Sequence, residues 1–192
     1  MEEFFFVQLL ILMGLFLQGV RHAILIDSRG LSYLITTKAV TLSQGLNLFL
    51  PARLSEVLKA TYLRDRADIP MSVGLSAVVQ ERIIDLIIVG FLGVACLFFF
   101  ATMVSKTLIF GIVLIIIVIL GLALWGQSQI LALTNSLPWP QVGGFLGRTY
   151  LHFSCSLRRP KFLLGLGLGL LIWSLSFLNI FLLIESAGTI KI

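Results

Sequence analysis

The chain has 192 residues, of which 58% are hydrophobic and only 12% are charged. Because soluble domains contain about 25% charged residues, this composition, with a mean hydropathy of +1.06, excludes a soluble globular protein and indicates an integral membrane protein. The net charge of +5 is typical of the basic cytoplasmic segments of polytopic membrane proteins, so we expect no nucleic-acid partner.

Long uncharged apolar runs indicate membrane-spanning helices rather than barrel strands. A helix needs about 20 apolar residues to cross the hydrocarbon layer, whereas barrel strands alternate apolar and polar residues over shorter segments. We therefore predict an all-α, polytopic membrane protein that forms a single transmembrane domain over residues 1–192. The four predicted spans cover residues 4–20, 72–103, 108–125 and 162–184.

The segment over residues 31–50 is apolar but carries many hydroxyl and amide side chains, which are too polar for a lipid-facing span. Pro51 follows it and biases the preceding residue away from the helical conformation. Irregular backbone at membrane depth must be buried in protein or line water, so we predict a broken or re-entrant helix here. A helix over residues 53–63 and a polar turn over residues 64–68 are expected next.

Three further features complete the predicted topology. Arg21 and His22 are expected to end the first span at a membrane interface. Residues 126–140, which are polar and rich in proline, are predicted to form a loop. Residues 142–157 alternate apolar with basic and polar groups, which predicts an interfacial amphipathic helix.

Lysine and arginine are concentrated on one side of this topology. If the N-terminus is outside, seven of them lie inside within residues 21–70 and four more within residues 126–161, whereas only Lys106 and Lys191 lie outside. Basic residues favour the cytoplasmic side. We therefore predict a multi-pass protein of the cell (inner) membrane with both termini outside.

The charged residues are concentrated between Asn47 and Asp85. This stretch is about a fifth of the chain but holds ten of its 23 Lys, Arg, Asp and Glu residues. Ionisable residues in or beside a span are costly, so they are functional-site candidates by default. Helix neighbours three or four positions apart share a face, which groups six of the charges into two triplets. The triplets are Arg53, Glu56 and Lys59, and Glu81, Arg82 and Asp85.

The two triplets have complementary signs: plus, minus, plus in the first and minus, plus, minus in the second. We predict that they pair across helices, for example through Glu56 and Arg82. A second interpretation stays open at this point, in which the network only fixes the re-entrant segment to the long helix, since buried ion pairs often serve conformational specificity.

Other motifs give little sign of catalysis or cofactor binding. His22 and His152 lack ligand partners at metal spacing, and no GxSxG nucleophile motif occurs, so we expect no metal, no cofactor and no catalytic residue. Gly165 and Gly169 lie within an apolar helix and predict a helix-packing notch rather than a nucleotide loop. Trp173 is expected to pack or to anchor the helix at an interface.

The charged residues belong to motifs with a defined order and spacing. Asn47-x3-Pro51-x-Arg53-x2-Glu56 is followed by Lys59 and then by Glu81-Arg82-x2-Asp85, while Gln18-Gly-Val-Arg21 and Arg159-Pro160 lie at the first and last spans. This combination resembles the transmembrane region of lysylphosphatidylglycerol synthases and the related stand-alone flippase-like membrane proteins. Ser55 stands where the family usually has glycine, and its small side chain still permits close packing.

The resemblance covers nearly all of the chain but only part of a full family domain. Family members usually have one more helix ahead of residue 4 and a further re-entrant segment after the last span. We therefore expect this transmembrane domain to be incomplete relative to the full family domain.

The resemblance implies a protein that moves a lipid between leaflets and is not an enzyme. Suitable lipids are aminoacylated or glycosylated phospholipids and polyprenyl-linked carriers. In that interpretation basic residues contact the phosphate, acidic residues hold those cations or meet an amino group, and three motif residues support them. The basic residues are Arg53, Lys59 and Arg82. The acidic residues are Glu56, Glu81 and Asp85, and the supporting residues are Asn47, Pro51 and Ser55.

Two other classes of function remain open. The protein can be a membrane-embedded enzyme acting on a lipid-linked substrate, with Glu56, Glu81 or Asp85 as general base. It can also be a non-catalytic assembly subunit. The expected partner is a membrane lipid with an anionic or zwitterionic head group, together with a second copy of the chain or another membrane subunit.

Overall fold

A computed structural model shows helices throughout the part of the chain that it describes, which confirms the predicted all-α class. The described residues are 2–28, 30–49, 54–99, 127–135, 138–157 and 159–189, together with 107, 110, 111, 114, 118 and 121. The helices are α1 (Glu2–Ile26), α2 (Tyr33–Leu46), α3 (Ser55–Ala67), α4 (Met71–Phe99), α5 (Gln127–Asn135), α6 (Pro140–Leu157) and α7 (Pro160–Thr189).

Two of the described helices are long and apolar enough to cross a bilayer. They are Phe5–Ile26 in α1, with mean hydropathy 1.9, and Pro160–Glu185 in α7, with mean hydropathy 2.2. They correspond to the first and last predicted spans. Most of the predicted span over residues 108–125 lies outside the described residues. The second predicted span corresponds to α4, which has 29 residues and carries three charged side chains, Glu81, Arg82 and Asp85.

The predicted end of the first span at Arg21 and His22 is wrong. The helix α1 continues to Ile26, and both side chains are buried inside the protein rather than placed at an interface. Polar groups of both side chains face charged partners on α4. The position of these two residues therefore follows from their contacts with Asp85 and Glu81 of α4.

The helix α2 is short and packs closely on α1. It has 14 residues, which gives a length of about 21 Å, less than the roughly 30 Å of the hydrocarbon layer. Its N-cap Ser32 accepts a hydrogen bond from the Leu34 N–H. A side chain at Gly19 would place its Cβ 2.6 Å from the Thr37 Cα, so only glycine permits this approach of the two helices.

The predicted turn over residues 64–68 is wrong, because α3 continues to Ala67. Arg64 and Arg66 lie in its last turn, where positive charge is favourable next to the helix C-terminus. Asp68 then adopts a left-handed conformation with φ 51°, and the N–H of the next residue, Ile69, donates to the Leu63 carbonyl. This cap ends the helix four residues later than the composition indicated.

The predicted loop over residues 126–140 is also wrong, since residues Gln127–Asn135 form the helix α5. It packs against α6 at Gly147, where an added Cβ would lie 3.3 Å from the Thr134 hydroxyl oxygen. Packing on α6 therefore offsets the polar composition of this segment. The helix predicted over residues 142–157 is confirmed as α6.

A buried apolar cluster holds α1, α2, α3 and α4 together. Its central members include Leu25, Ala39, Leu63 and Ile84. The glycine notch predicted in the last span is confirmed: an added Cβ at Gly169 would lie 2.8 Å from Ile84 Cγ2. The absence of a side chain at this position therefore lets α7 approach α4.

A cluster of opposite charges joins the end of α1 to the start of α7. Asp27, just beyond α1, contacts Arg159 Nη1 at 2.6 Å and accepts a hydrogen bond from Lys161 Nζ. The hydrogen bond from Lys161 lowers the pKa of Asp27 below its ordinary value of 3.8, and Arg159 acts in the same direction. Since the end of one helix meets the start of the other, α1 and α7 run antiparallel.

Replacement of Gly19 by alanine should separate α1 from α2. The new methyl group would collide with the backbone of Thr37, so we expect a loss of about 1–3 kcal/mol of unfolding free energy. Gly14→Ala is the matched control, because nothing lies within 4 Å of a Cβ at Gly14. Thermal unfolding of both variants in detergent measures the difference, and equal stability would contradict the close approach.

The Asp27 cluster should make stability depend on pH in the acid range. The folded-state pKa of Asp27 is lowered, so its stabilisation is complete above its unfolded pKa near about 3.9 and is lost as pH falls through the folded value. The stability difference between the wild type and Asp27→Asn should therefore be constant above about pH 5 and shrink below about pH 4. A difference that does not change with acidification would rule out this contribution.

Candidate functional site

Glu56 and Lys59 of the first predicted triplet meet the second triplet where α3 packs against α4, and α1 contributes further polar groups. We call this set the charged network. Its described members are Arg21, His22, Glu56, Lys59, Glu81, Arg82 and Asp85.

The centre of the charged network is the ion pair between Lys59 and Glu81. The Lys59 Nζ atom lies 2.7 Å from Glu81 Oε2, and the two side chains are only 4% and 3% exposed. The helices approach closely beside this pair, because an added Cβ at Gly74 would lie 3.2 Å from the Ala60 Cβ. Lys59 also lies 3.1 Å from Glu56 Oε2, which joins two carboxylates to one cation.

The outer edge of the charged network is formed by Glu56, Arg82 and Asp85. Arg82 Nη2 donates to Glu56 Oε1, so the predicted pairing of these two residues across helices is confirmed. Arg82 Nη1 lies 3.5 Å from Asp85 Oδ2 within α4. The side chain of Arg82 is 37% exposed and that of Asp85 is 21% exposed. The charged network is therefore enclosed by protein at Lys59 and exposed at Arg82.

The helix α1 adds two members that the charge pattern did not assign to the site. Arg21 Nη1 donates to Asp85 Oδ1 at 2.8 Å, and His22 Nδ1 lies 3.2 Å from Glu81 Oε1. A signal was present in the sequence, since an arginine within an apolar helix needs a partner. That partner is 64 residues away along the chain, so the local sequence did not indicate which residue it was.

The last helix also reaches the charged network. Trp173 Nε1 donates to Asp85 Oδ1 at 3.4 Å, so the ring that was predicted to pack or anchor also contacts the site. Asp85 thereby receives donors from α1 and α7 while Arg82 lies beside it on α4. One carboxylate thus links three helices.

The supporting residues lie at the connection between α2 and α3. The hydroxyl group of Ser55 is buried and donates to Oδ1 of Asn47, which follows the end of α2. This bond joins the two ends of the connecting segment. Pro51 and Arg53, which were also predicted to belong to the site, lie between these two positions but outside the described residues.

The chemistry of the charged network suits binding of a polar group rather than metal chelation. No group of three His, Cys, Asp or Glu residues within the described part of the chain is placed to hold a metal ion. Two enclosed arginine donors, Arg21 Nε and Arg82 Nε, nevertheless lack a hydrogen bond to any described residue. Buried polar groups normally have partners. The network therefore has unused capacity to donate hydrogen bonds.

The chain matches the family described as lysylphosphatidylglycerol synthase TM region over residues 4–190. The chain belongs to this family. The resemblance seen in the motifs is confirmed, and it identifies a membrane protein related to lipid modification or translocation. Neither a curated protein nor a solved structure shows significant similarity to the chain.

In this member of the lysylphosphatidylglycerol synthase TM region family, removing one charge of the Lys59–Glu81 pair should destabilise the fold more than removing both. Lys59→Met leaves Glu81 buried without its nearest cation, so we expect a loss of about 3 kcal/mol of unfolding free energy. The double variant Lys59→Met with Glu81→Leu replaces both charges by apolar groups and should be no less stable than the single variant. Thermal unfolding in detergent compares them.

The exposed pair of Arg64 and Asp65 is the matched control for that experiment. Its two atoms lie 3.1 Å apart, but the side chains are 55% and 58% exposed. Arg64→Gln should change stability by less than about 0.5 kcal/mol. Additive losses in the double variant would mean that Lys59 and Glu81 do not act as a pair.

Proposed function

We propose that this chain binds the polar head group of a membrane lipid at the charged network and moves that lipid between leaflets without changing it covalently. The lipid is an aminoacylated or glycosylated phospholipid or a polyprenyl-linked carrier, with an anionic or zwitterionic head group. Membership of the family supports a role related to lipids. The charged network supplies a polar surface inside a chain that is otherwise apolar.

One observation carries this proposal, namely the uneven burial of the charged network. A charge that loses its contact with water needs compensating partners. In a purely structural ion cluster we therefore expect every charge to be both enclosed and paired. Here the side chain of Arg82 is 37% exposed, although its Nε atom is enclosed, so the guanidinium group is within reach of a ligand. The exposed edge can therefore accept a ligand while the centre stays closed.

The edge residues suit the two kinds of charge that a lipid head group carries. Arginine binds phosphate through parallel N–H bonds, so a phosphate can replace Glu56 as the partner of Arg82. Asp85 lies beside Arg82 and can receive an amino group if the head group is zwitterionic. Arg53 remains the predicted second contact for phosphate.

The proposed arrangement in the membrane follows from helix length and charge. With about 21 Å of length, α2 is too short to cross, so we place it as a re-entrant helix that enters and leaves on one side. Basic residues are concentrated in the segments that we place inside. The proposal therefore describes a multi-pass protein of the cell (inner) membrane with its N-terminus outside.

The alternative of a membrane-embedded enzyme receives less support from the geometry. Each of the three carboxylates in the charged network already contacts two cationic side chains, so none is without a partner as an unengaged general base would be. An assembly subunit, acting with a second copy or another membrane protein, is the other alternative. Product analysis separates these classes, since an enzyme alters the lipid and a subunit alone transfers nothing.

Neutralising the edge cation should reduce lipid transfer. Arg82→Gln removes the charge that we assign to phosphate binding, and the loss of charge-assisted hydrogen bonds predicts a decrease of about tenfold in transfer rate. The measurement uses vesicles that contain the purified protein and a fluorescent phospholipid, with an impermeant quencher reporting which leaflet holds the label.

The matched control is Arg64→Gln, which removes an arginine that is 55% exposed and lies outside the charged network. It should leave the transfer rate unchanged. Equal rates for the wild type and Arg82→Gln, at equal amounts of folded protein, would reject the assignment of Arg82. Covalently altered lipid in the same vesicles would replace transport by catalysis as the function.

A further inference from the structure

A polar cavity lies between α1, α2 and α7, apart from the charged network. Its volume is about 230 Å³, which is room for roughly seven water molecules. Four of its lining side chains are polar and uncharged, and the rest of the lining consists of leucine, isoleucine and glycine. The polar residues are Gln18, Gln44, Ser176 and Asn179.

The cavity begins one helical turn from the charged network on both of its long walls. On α1, Gln18 precedes Arg21 by three residues, and on α7, Ser176 follows Trp173 by three residues. Residues three apart share a helix face at a rise of about 4.5 Å. Arg21 and Trp173 both donate to Asp85. The cavity is therefore adjacent to Asp85, further along the seam between α1 and α7.

The polar groups of the cavity are only partly used by the protein. Gln44 Nε2 donates to Gln18 Oε1 at 3.1 Å, which leaves the Gln18 amide N–H groups outside that bond. The Oδ1 atom of Asn179 is buried and has no hydrogen-bond partner within the described residues. A buried carbonyl without a partner is destabilising at membrane depth. The cavity is therefore suited to an occupant that both donates and accepts hydrogen bonds.

We infer that this cavity is a second subsite that receives the uncharged, hydroxyl-bearing part of a lipid head group, such as a glycerol or sugar unit. The inference rests on the proposed function, because the charged network would hold the phosphate of the same head group. Hydroxyl groups accept from the Gln18 amide, and they donate to Asn179 Oδ1 once rotation of that side chain turns the enclosed oxygen toward the cavity. The cavity lining carries no charge, so it offers no ion pair to a second phosphate or to an ammonium group.

Two lipids with the same charge provide the test. Phosphatidylglycerol and phosphatidylmethanol each carry one phosphodiester charge, but only phosphatidylglycerol has hydroxyl groups beyond the phosphate. Binding of each lipid is measured by native mass spectrometry on the full chain in phosphatidylcholine nanodiscs. Because one or two additional neutral hydrogen bonds would form, we expect the wild type to bind phosphatidylglycerol about threefold to tenfold more tightly than phosphatidylmethanol.

Two variants should abolish this preference. Asn179→Leu keeps the shape of the side chain but removes the acceptor. Gly14→Leu fills the cavity from α1, where nothing lies within 4 Å of an added Cβ. In both variants the affinity for phosphatidylglycerol should fall to that for phosphatidylmethanol, which should itself remain unchanged and so report an intact fold. Gly167→Leu is the control, because that glycine of α7 is also open but does not line the cavity.

The outcomes separate this inference from the proposed function. Equal wild-type affinities for the two lipids, or a preference that survives in both variants, would overturn the subsite whether or not lipids cross the bilayer. A preference that the variants abolish, in a protein that transfers neither lipid between leaflets, would support the subsite and reject translocation.

Discussion

The buried ion pair between Lys59 and Glu81 determines how the other described elements meet. Removing two charges from water costs several kcal/mol each, so the pair is tolerated only with short contacts and further partners. Lys59 lies 2.7 Å from Glu81, and α1 adds Arg21 and His22 around the same carboxylate. A shift of one residue in α1, α3 or α4 would leave a charge enclosed without its partner. The pair therefore fixes the register of three helices.

The charged network need not be either structural or functional as a whole. Its centre at Lys59 is enclosed, and the helices around it pack through small residues such as Ala60 and Gly74. Its edge is more open, because the side chains of Arg82 and Asp85 are 37% and 21% exposed. Under the proposed function, the two interpretations left open by the sequence would apply to different ends of one cluster. A rigid centre also restricts the rotamers available at the edge, and such preorganisation favours binding.

Sequence patterns predicted much of the fold and part of the candidate site. The all-α class followed from composition, and the contact between Glu56 and Arg82 followed from complementary charges at helical spacing. Arg21 was misplaced because its partner is remote in sequence, and only tertiary packing brings the two together. The helix α5 was missed because its polar segment is helical against α6, a contact that local composition does not encode.

The seam between α1 and α7 changes in polarity along its length. Asp27 meets Arg159 and Lys161 at one end, Arg21 and Asp85 come next, neutral amides follow, and the remaining cavity lining near Leu10 is apolar. A group that moves along this seam exchanges Coulomb attraction for neutral hydrogen bonds and then for dispersion forces. Each step retains it less strongly than the one before. Under the proposed function, a head group on this seam would therefore be held most strongly at the charged end and least strongly near Leu10.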